Sequence, residues 1–357
     1  MQPAMQMHRA TPPPLPPRST RPAPPAVPPR PPPPPIPLST RPQLPQTPTS
    51  PLSNGSATAK NYEFLTPSQV SHFLTYGFVT LPGAFDISKA APWLAQLWTR
   101  LGASPTDRST WKKERTHLPS VSREHVSTFA PAAWGAICEL LGGADRVDSS
   151  TAYWSDAFIV NLGVPGSEPD PQGKNEGHKV WDWHVDGDFF THFLDSGEQA
   201  LLVVPLFEDI VPGGGGTMVA PESVGIVSRY LAEHPEGVSP SFGGDRWFIE
   251  QAKQCQHFVE LTGKAGDVVL LHPFMLHSAT RNYLRTPRVI TNPRVGMKRP
   301  FAYGRDGSEL SLVEKKTLME LGVDRLEWQA TGARKFITPE RMMKKKKPEV
   351  PRKVSFA

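Results

Sequence analysis

Cysteine is scarce. Cys138 and Cys255 are the only two in 357 residues, and neither belongs to a CxxC pair. Two thiols cannot hold a disulfide scaffold together, so they read as buried thiols in a reducing compartment. No apolar run approaches the roughly 18 residues of a membrane-spanning helix, which excludes a polytopic membrane protein, and no short apolar stretch marks secretion. Glycine, at 28 residues, is ordinary and does not recur every third position, so collagen is excluded. Internal repeats are lacking. Acidic side chains are missing altogether from residues 1–60.

What is abundant is proline, and it is placed unevenly: 21 of the 42 prolines fall within residues 1–51. Proline fixes φ and removes a backbone donor, and this stretch has few large apolar side chains, so residues 1–60 are expected to form a disordered arm of polyproline II character. Pro13–Arg18 and Pro25–Arg30 both fit PxxPxR, the form that docks on SH3-type grooves, although so Pro- and Arg-rich a segment also makes such matches by chance. A mitochondrial transit peptide is the lesser reading, because the prolines break the amphipathic helix it needs. Charge is segregated in the same way. Residues 1–60 and 341–357 carry +6 each, so within a total of +5 the stretch 61–340 stands at −7. The basic pI therefore describes the ends, and the middle offers no electrostatic reason to expect nucleic acid. Lys344–Lys347 reads as a nuclear import signal, an anion-attracting arm or a plain solvated charge run.

Ordered structure is expected from about residue 62. Thr66-Pro67-Ser68-Gln69 is a capping box with Pro in the first helical position, followed by Val70, Phe73 and Leu74 at helical spacing and by a stop at Gly77. A strand is predicted at 78–81, one helix over 88–101 and another over 131–141. Beyond 150 the pattern changes to short apolar runs between Gly, Pro and Asp: 157–162, 200–206, 216–220, 258–261, 268–271 and 288–295, with helices near 222–233 and 309–321. Helices first and short strands later predict an α+β domain over 61–340 built on an antiparallel barrel or sandwich.

The segment that carries chemistry is Trp181-Asp182-Trp183-His184-Val185-Asp186-Gly187-Asp188. On a strand, residues two apart share a face, which sets the His184 imidazole beside the Asp186 carboxylate and turns Trp183 and Val185 into apolar packing. Downstream, Gly266–His277 reads as a turn, a strand and a terminal histidine, and Arg288 follows 11 residues after His277. Antiparallel pairing through a short loop would return Arg288 towards His277. Two imidazoles and one carboxylate form the facial triad of non-haem Fe(II) oxygenases. Three ligands leave three positions, two for a chelating 2-oxo acid and one for O₂. A deeper Arg can grip the distal carboxylate with a fork that Lys cannot match.

Together with Leu65-Thr66-Pro67, Gly77-Phe78-Val79, Gly215-Gly216-Thr217, Pro221-Glu222-Ser223 and Gly266-Asp267, these residues make segment 62–295 resemble the phytanoyl-CoA dioxygenase-like family of Fe(II)/2-oxoglutarate oxygenases. The resemblance implies a double-stranded β-helix (jelly-roll, cupin-like) core flanked by helices. It implies iron held by His184, Asp186 and His277, and 2-oxoglutarate held by Arg288, with Asn161 as a further cosubstrate contact. The implied reaction oxidises a C–H bond of a small organic molecule, by hydroxylation, desaturation or ring closure, while 2-oxoglutarate loses CO₂ to become succinate. Related halogenases lack the metal-bound carboxylate, so Asp186 argues for hydroxylation-type chemistry. The chain departs from the family pattern at Ala279, Arg281 and Val224, around the cosubstrate and away from the ligands.

Other residues compete for these roles. His272 is the rival third ligand. His178 and His192 flank the HxD segment and would line a pocket or simply sit satisfied in loops. Lys112, Lys113, Arg115 and His117 form a basic cluster that either meets a carboxylate or faces solvent. Gly213–Gly216 lacks the Lys-Ser/Thr of a phosphate-binding loop and reads as a tight turn. Two other functions stand beside the small-molecule oxygenase: a non-catalytic jelly-roll sensor or scaffold using its Pro-rich arm, and an oxygenase of protein or nucleic acid, the latter disfavoured by the acidic middle. The expected location is cytoplasmic, with the nucleus as the alternative if Lys344–Lys347 is an import signal.

Overall fold

In the computed structural model, the structure describes residues 61–166, 180, 182–242, 244 and 246–339. The PxxPxR segments, His178, Trp181 and Lys344–Lys347 lie outside the described residues.

Helix α1 (Pro67–Tyr76) starts as the sequence predicts. The Thr66 hydroxyl accepts from the Gln69 N–H, the Gln69 side chain returns the bond, and Gly77 closes the helix at φ 76°. Strand β1 (Phe78–Leu81) follows. The single helix predicted over 88–101 is instead a 3₁₀ turn (Ile87–Ala90) followed by α2 (Ala91–Leu94) and α3 (Leu97–Leu101). Pro92 is the reason: without an N–H it cannot sit inside a helix begun at Ser88, so the chain restarts with Pro in the first turn of α2. Strands β2 (Arg115–His117) and β3 (Arg123–His125), the short α4 (Val126–Phe129), α5 (Pro131–Leu141), β4 (Tyr153–Ser155) and β5 (Ile159–Asn161) come next. They are followed by β6 (Leu202–Pro205), β7 (Thr217–Ala220), α6 (Ser223–Ala232), α7 (Trp247–Ala252), β8 (Val259–Leu261), β9 (Val268–Leu271), β10 (Leu276–Ala279), β11 (Arg288–Ile290) and α8 (Leu312–Leu321). Strands β2, β3 and β4 carry no clear apolar alternation, which is why sequence pattern passed over them.

All the pairings among the described residues are antiparallel, and the α+β expectation holds. The strand orders are β1-β9-β6, β10-β7-β8, β11-β5-β2 and β3-β4. The central β9 is fully buried along its length, as a continuous Val/Leu run should be. Single bridges, Leu206 to Ile290 and Leu201 to Val295, join the β6 segment to the β11 segment. Behind the first sheet, Phe85, Trp93, Phe129, Trp154, Phe158 and Phe207 form one aromatic cluster, with Trp93 and Phe129 stacked at 4.6 Å. Such pairs add roughly 0.5–1.5 kcal/mol each beyond the area they bury. Helix α8 is anchored by a buried ion pair: Arg146 donates from both Nη atoms to Glu314 at 2.8 and 3.0 Å, and Glu314 also caps its own helix through Ser311.

One expected pairing is absent. β10 and β11 do not form a hairpin with each other, because β10 pairs with β7 and β11 pairs with β5 in a different sheet. The loop between them, held by Asn282 and Gly214, crosses from one sheet to the other.

Candidate metal centre

His277 sits in the middle of β10, opposite Val219 of β7. His184 meets it across an isolated antiparallel bridge, with each backbone N–H donating to the other's carbonyl at 3.1 and 3.0 Å. A directly opposed pair brings the two side chains together on one face, and here the ring centroids are 4.3 Å apart. The HxD segment is therefore a one-residue bridge and a bend, and the longer strand predicted for it does not form. Trp183 and Val185 still turn inward, 5% and 7% exposed. The bend after Asp186 depends on Gly187. It holds φ 115°, and a Cβ there would lie 2.3 Å from a Phe190 ring carbon. His192 donates from Nε2 to the Gly187 carbonyl at 2.8 Å and stacks on Phe190, so this buried imidazole braces the bend. Burial, with little relief from that bond, pushes its pKa down to about 4.

The three donor groups converge. One ligand atom from each of His184, Asp186 and His277 lies within 4.8 Å of the others. Asp186 Oδ1 is 3.8 Å from His184 Nε2 and 3.6 Å from His277 Nε2. Each imidazole is oriented from behind: His184 Nδ1 donates to the Asp182 carbonyl at 2.8 Å and His277 Nδ1 to the Met275 carbonyl at 3.1 Å. A proton fixed on Nδ1 leaves the Nε2 lone pair facing the cluster, the form a metal needs. The carboxylate is divided in the same manner. Asp186 Oδ2 accepts from Asn292 Nδ2 at 2.8 Å, and Oδ1 is left for the centre. Burial alone would raise the Asp186 pKa, but the neighbouring His277 and His184 imidazoles, with the Asn292 hydrogen bond, hold it below the usual carboxylate range. For His184, burial and the neighbouring His277 push the pKa down. For His277, burial pulls downward and is outweighed by Asp186, which leaves it raised. Two nitrogens and one oxygen, each with its second atom tied to the protein, suit a divalent first-row metal with open positions.

Arg288 begins β11 opposite Asn161 of β5, and Arg115 of β2 faces Asn161 from the other side, so the three share one row of the sheet. Arg288 is 1% exposed. Its Nε donates to the Gly215 carbonyl at 2.8 Å and Nη1 to the Ile159 carbonyl at 3.2 Å. Burial and then the charge of Arg115 lower its pKa to about 10. Among the described residues no carboxylate pairs with it. A guanidinium enclosed in this way is costly unless an anion completes it, and a small dicarboxylate would do so.

Asn161 Nδ2 donates to the Thr280 carbonyl and its Oδ1 accepts from the Gly163 N–H, at 3.0 and 3.1 Å. The amide ties β5 to the chain leaving β10. The Gly213–Gly216 segment is the turn predicted, with a role that the sequence did not reveal. A Cβ at Gly215 would lie 2.8 Å from Asn161 Nδ2, so glycine lets its carbonyl approach Arg288. His272 is no ligand: its Nε2 is bonded to Thr317 Oγ1 and its Nδ1 accepts from the Phe274 N–H, and burial, then Lys316, drives its pKa down to about 3. Within the basic cluster, Lys112 donates to Ser109, while Arg115 lies 3.6 Å from Asp182, the residue whose carbonyl holds His184. Asn292 was missed altogether, because a lone Asn after a strand carries no pattern.

A paired-histidine and carboxylate cluster on antiparallel sheets, in a chain that also buries an Arg without a carboxylate partner among the described residues, is the donor set of the non-haem iron, 2-oxoglutarate-dependent oxygenases. The family comparison agrees: a profile of phytanoyl-CoA dioxygenase (PhyH) matches residues 73–289, more than half of the chain, and the chain belongs to that family. Comparison with curated proteins returned no match. Solved structures that match this chain include HygX from Streptomyces hygroscopicus, crystallised with nickel, 2-oxoglutarate and hygromycin B, at 16% identity and TM-score 0.38 over 68% of this chain and 90% of that one. EctD from S. alaskensis gives 18% identity and TM-score 0.37 over 70% and 85%. The epimerase SnoN with Fe3+ and alpha ketoglutarate gives 17% and 0.36 over 64% and 82%.

Proposed function

We propose that His184, Asp186 and His277 hold a ferrous ion, that Arg288 takes the distal carboxylate of 2-oxoglutarate, and that the chain oxidises a C–H bond of a small organic molecule. The observation that carries this reading is the shared aim of the three donors, with both Nδ1 atoms bonded to backbone carbonyls and one Asp186 oxygen held by Asn292. Bound iron, with 2-oxoglutarate and O₂, supplies the oxidising power, and succinate and CO₂ are the co-products. The protein's own contribution is positioning. The backbone bridge sets the imidazoles, the Gly187 bend sets the carboxylate, and the Arg288 fork orients the cosubstrate. Strands β9 and β11 are buried throughout, and Arg288 itself is 1% exposed, so bulk water has little access to its guanidinium.

A reducing cytoplasm suits this chemistry, since ferrous iron and two buried free thiols are both at home there. No helix among the described residues is long and apolar enough to cross a membrane. An SH3-type partner for the Pro-rich arm rests on the PxxPxR matches alone. The direct test is anaerobic titration with Fe(II) and 2-oxoglutarate. A weak visible charge-transfer band is expected, and it should vanish in Asp186→Ala and His184→Ala. A parent protein with no band would favour the scaffold reading.

A further inference from the structure

A second feature lies beside the metal centre. A trough of about 420 Å³ opens between the β3–β4 ribbon and the segment that follows β11. Its size is that of a small-molecule pocket. One wall is the outer face of the ribbon. Arg123 pairs with Ser155 across the strands, and Tyr153, two residues away, shares their face while Trp154 is buried behind. The opposite wall carries Asn292 and Arg294. Asn292 belongs to both places: the residue lines the trough, and its Nδ2 donates to Asp186 Oδ2 at 2.8 Å. The trough thus begins one side chain from the metal-binding carboxylate.

The chemistry of its walls is one-sided. Among the described residues that line it, two are arginines, five bear hydroxyls and none is acidic. This reverses the character of the surrounding chain, which carries −7 over residues 61–340. Neither guanidinium is loose. Arg123 lies over the Tyr153 ring at 4.9 Å. Arg294 donates from Nε to the Glu198 carbonyl at 2.7 Å and stacks on Phe189 at 5.3 Å, which leaves its Nη edge for a ligand. A cleft lined by one sign of charge concentrates the opposite ion, and planar forks select oxyanions. Among the residues that line it, Pro293 and Tyr153 are the ones with apolar or aromatic side chains.

We propose that this trough holds the anionic end of the substrate and that the substrate is a small, hydroxyl-bearing acid, a carboxylate or a phosphate ester. This rests on the oxygenase reading above, since it names the substrate class of that same centre. The test is calorimetry under anaerobic conditions on protein saturated with Fe(II) and 2-oxoglutarate, so that Arg288 is already occupied. Four probes of similar size are compared: glucose 6-phosphate, gluconate, glucose and glucosamine. At least one of the two anions should bind ten-fold or more tightly than both glucose and glucosamine, and which anion does so separates phosphate from carboxylate. Arg123→Gln should abolish that preference with the charge-transfer band and melting temperature unchanged, and Arg123→Glu should turn it towards glucosamine. Equal binding of the four probes, no binding of either anion, or a preference that survives Arg123→Gln overturns the proposal. Absence of the charge-transfer band before any probe is added overturns the oxygenase reading instead, so the two failures are told apart.

Discussion

Asn292→Ala tests how far the metal centre depends on a residue that touches no ligand atom facing the ion. Asn292 donates one hydrogen bond to Asp186 Oδ2, at 2.8 Å. A hydrogen bond to a charged group is worth about 1.5–3 kcal/mol. The Asp186 side chain is 18% exposed, so water replaces part of the loss and the low end applies. At about 1.4 kcal/mol per ten-fold, iron affinity should fall roughly ten-fold, the lower edge of what outer-shell partners usually contribute. The loss arises because Asp186 becomes free to rotate and to share both oxygens, which disfavours the one-oxygen geometry. Competition against a chelator of known Fe(II) affinity, run anaerobically, measures it. Asn292→Asp should be worse, since it sets a second carboxylate against the first. Unchanged iron affinity in Asn292→Ala, or a loss as complete as in Asp186→Ala, would refute the reasoning: the first makes the bond incidental, the second makes Asn292 a structural keystone.

Three further outcomes follow from the same geometry. Arg288→Gln should weaken 2-oxoglutarate binding by roughly ten-fold or more, the loss of a charge-assisted pair, with iron retained, and Arg288→Lys should not restore it because a point charge cannot replace the fork; titration of the charge-transfer band reads both. Gly187→Ala should destabilise the fold by at least about 1–3 kcal/mol, since it combines a left-handed φ with a Cβ inside the Phe190 ring, and urea unfolding measures that. His272 gives a pH signature. Burial holds its pKa near 3 against 6.5 in the unfolded chain, so the unfolded state binds the proton first and stability, complete above pH 6.5, falls as pH drops towards 3. Between pH 6.5 and 5 that amounts to about 2 kcal/mol at 1.36 kcal/mol per unit, and the stability lost from pH 7 to pH 5 should be smaller by that amount in His272→Gln than in the parent.

Local rules were readable where local physics decides. The capping box at Thr66, the stop at Gly77, helix α5 and the buried β9 all follow from neighbours within a few residues. The convergence of His184, Asp186 and His277 was readable too, because the HxD pair and the distant histidine are features of the family the sequence resembles. Where sequence reasoning went astray, the deciding contacts were distant. Nothing local signals that Asn161 is bonded to Thr280, 119 residues away. The expected hairpin of β10 and β11 gave way to two separate sheets.

Motif and family resemblance therefore determined the class of chemistry and pointed to the side chains that converge at the candidate metal centre. Tertiary structure decided how those groups are held and what lies beside them. The histidine bridge, the Asn292 bond to Asp186 and the cationic trough join segments more than a hundred residues apart, or nearly so, and no periodicity records such meetings. Their positions are set by sheet pairing and by hydrogen bonds that form only once the chain has closed.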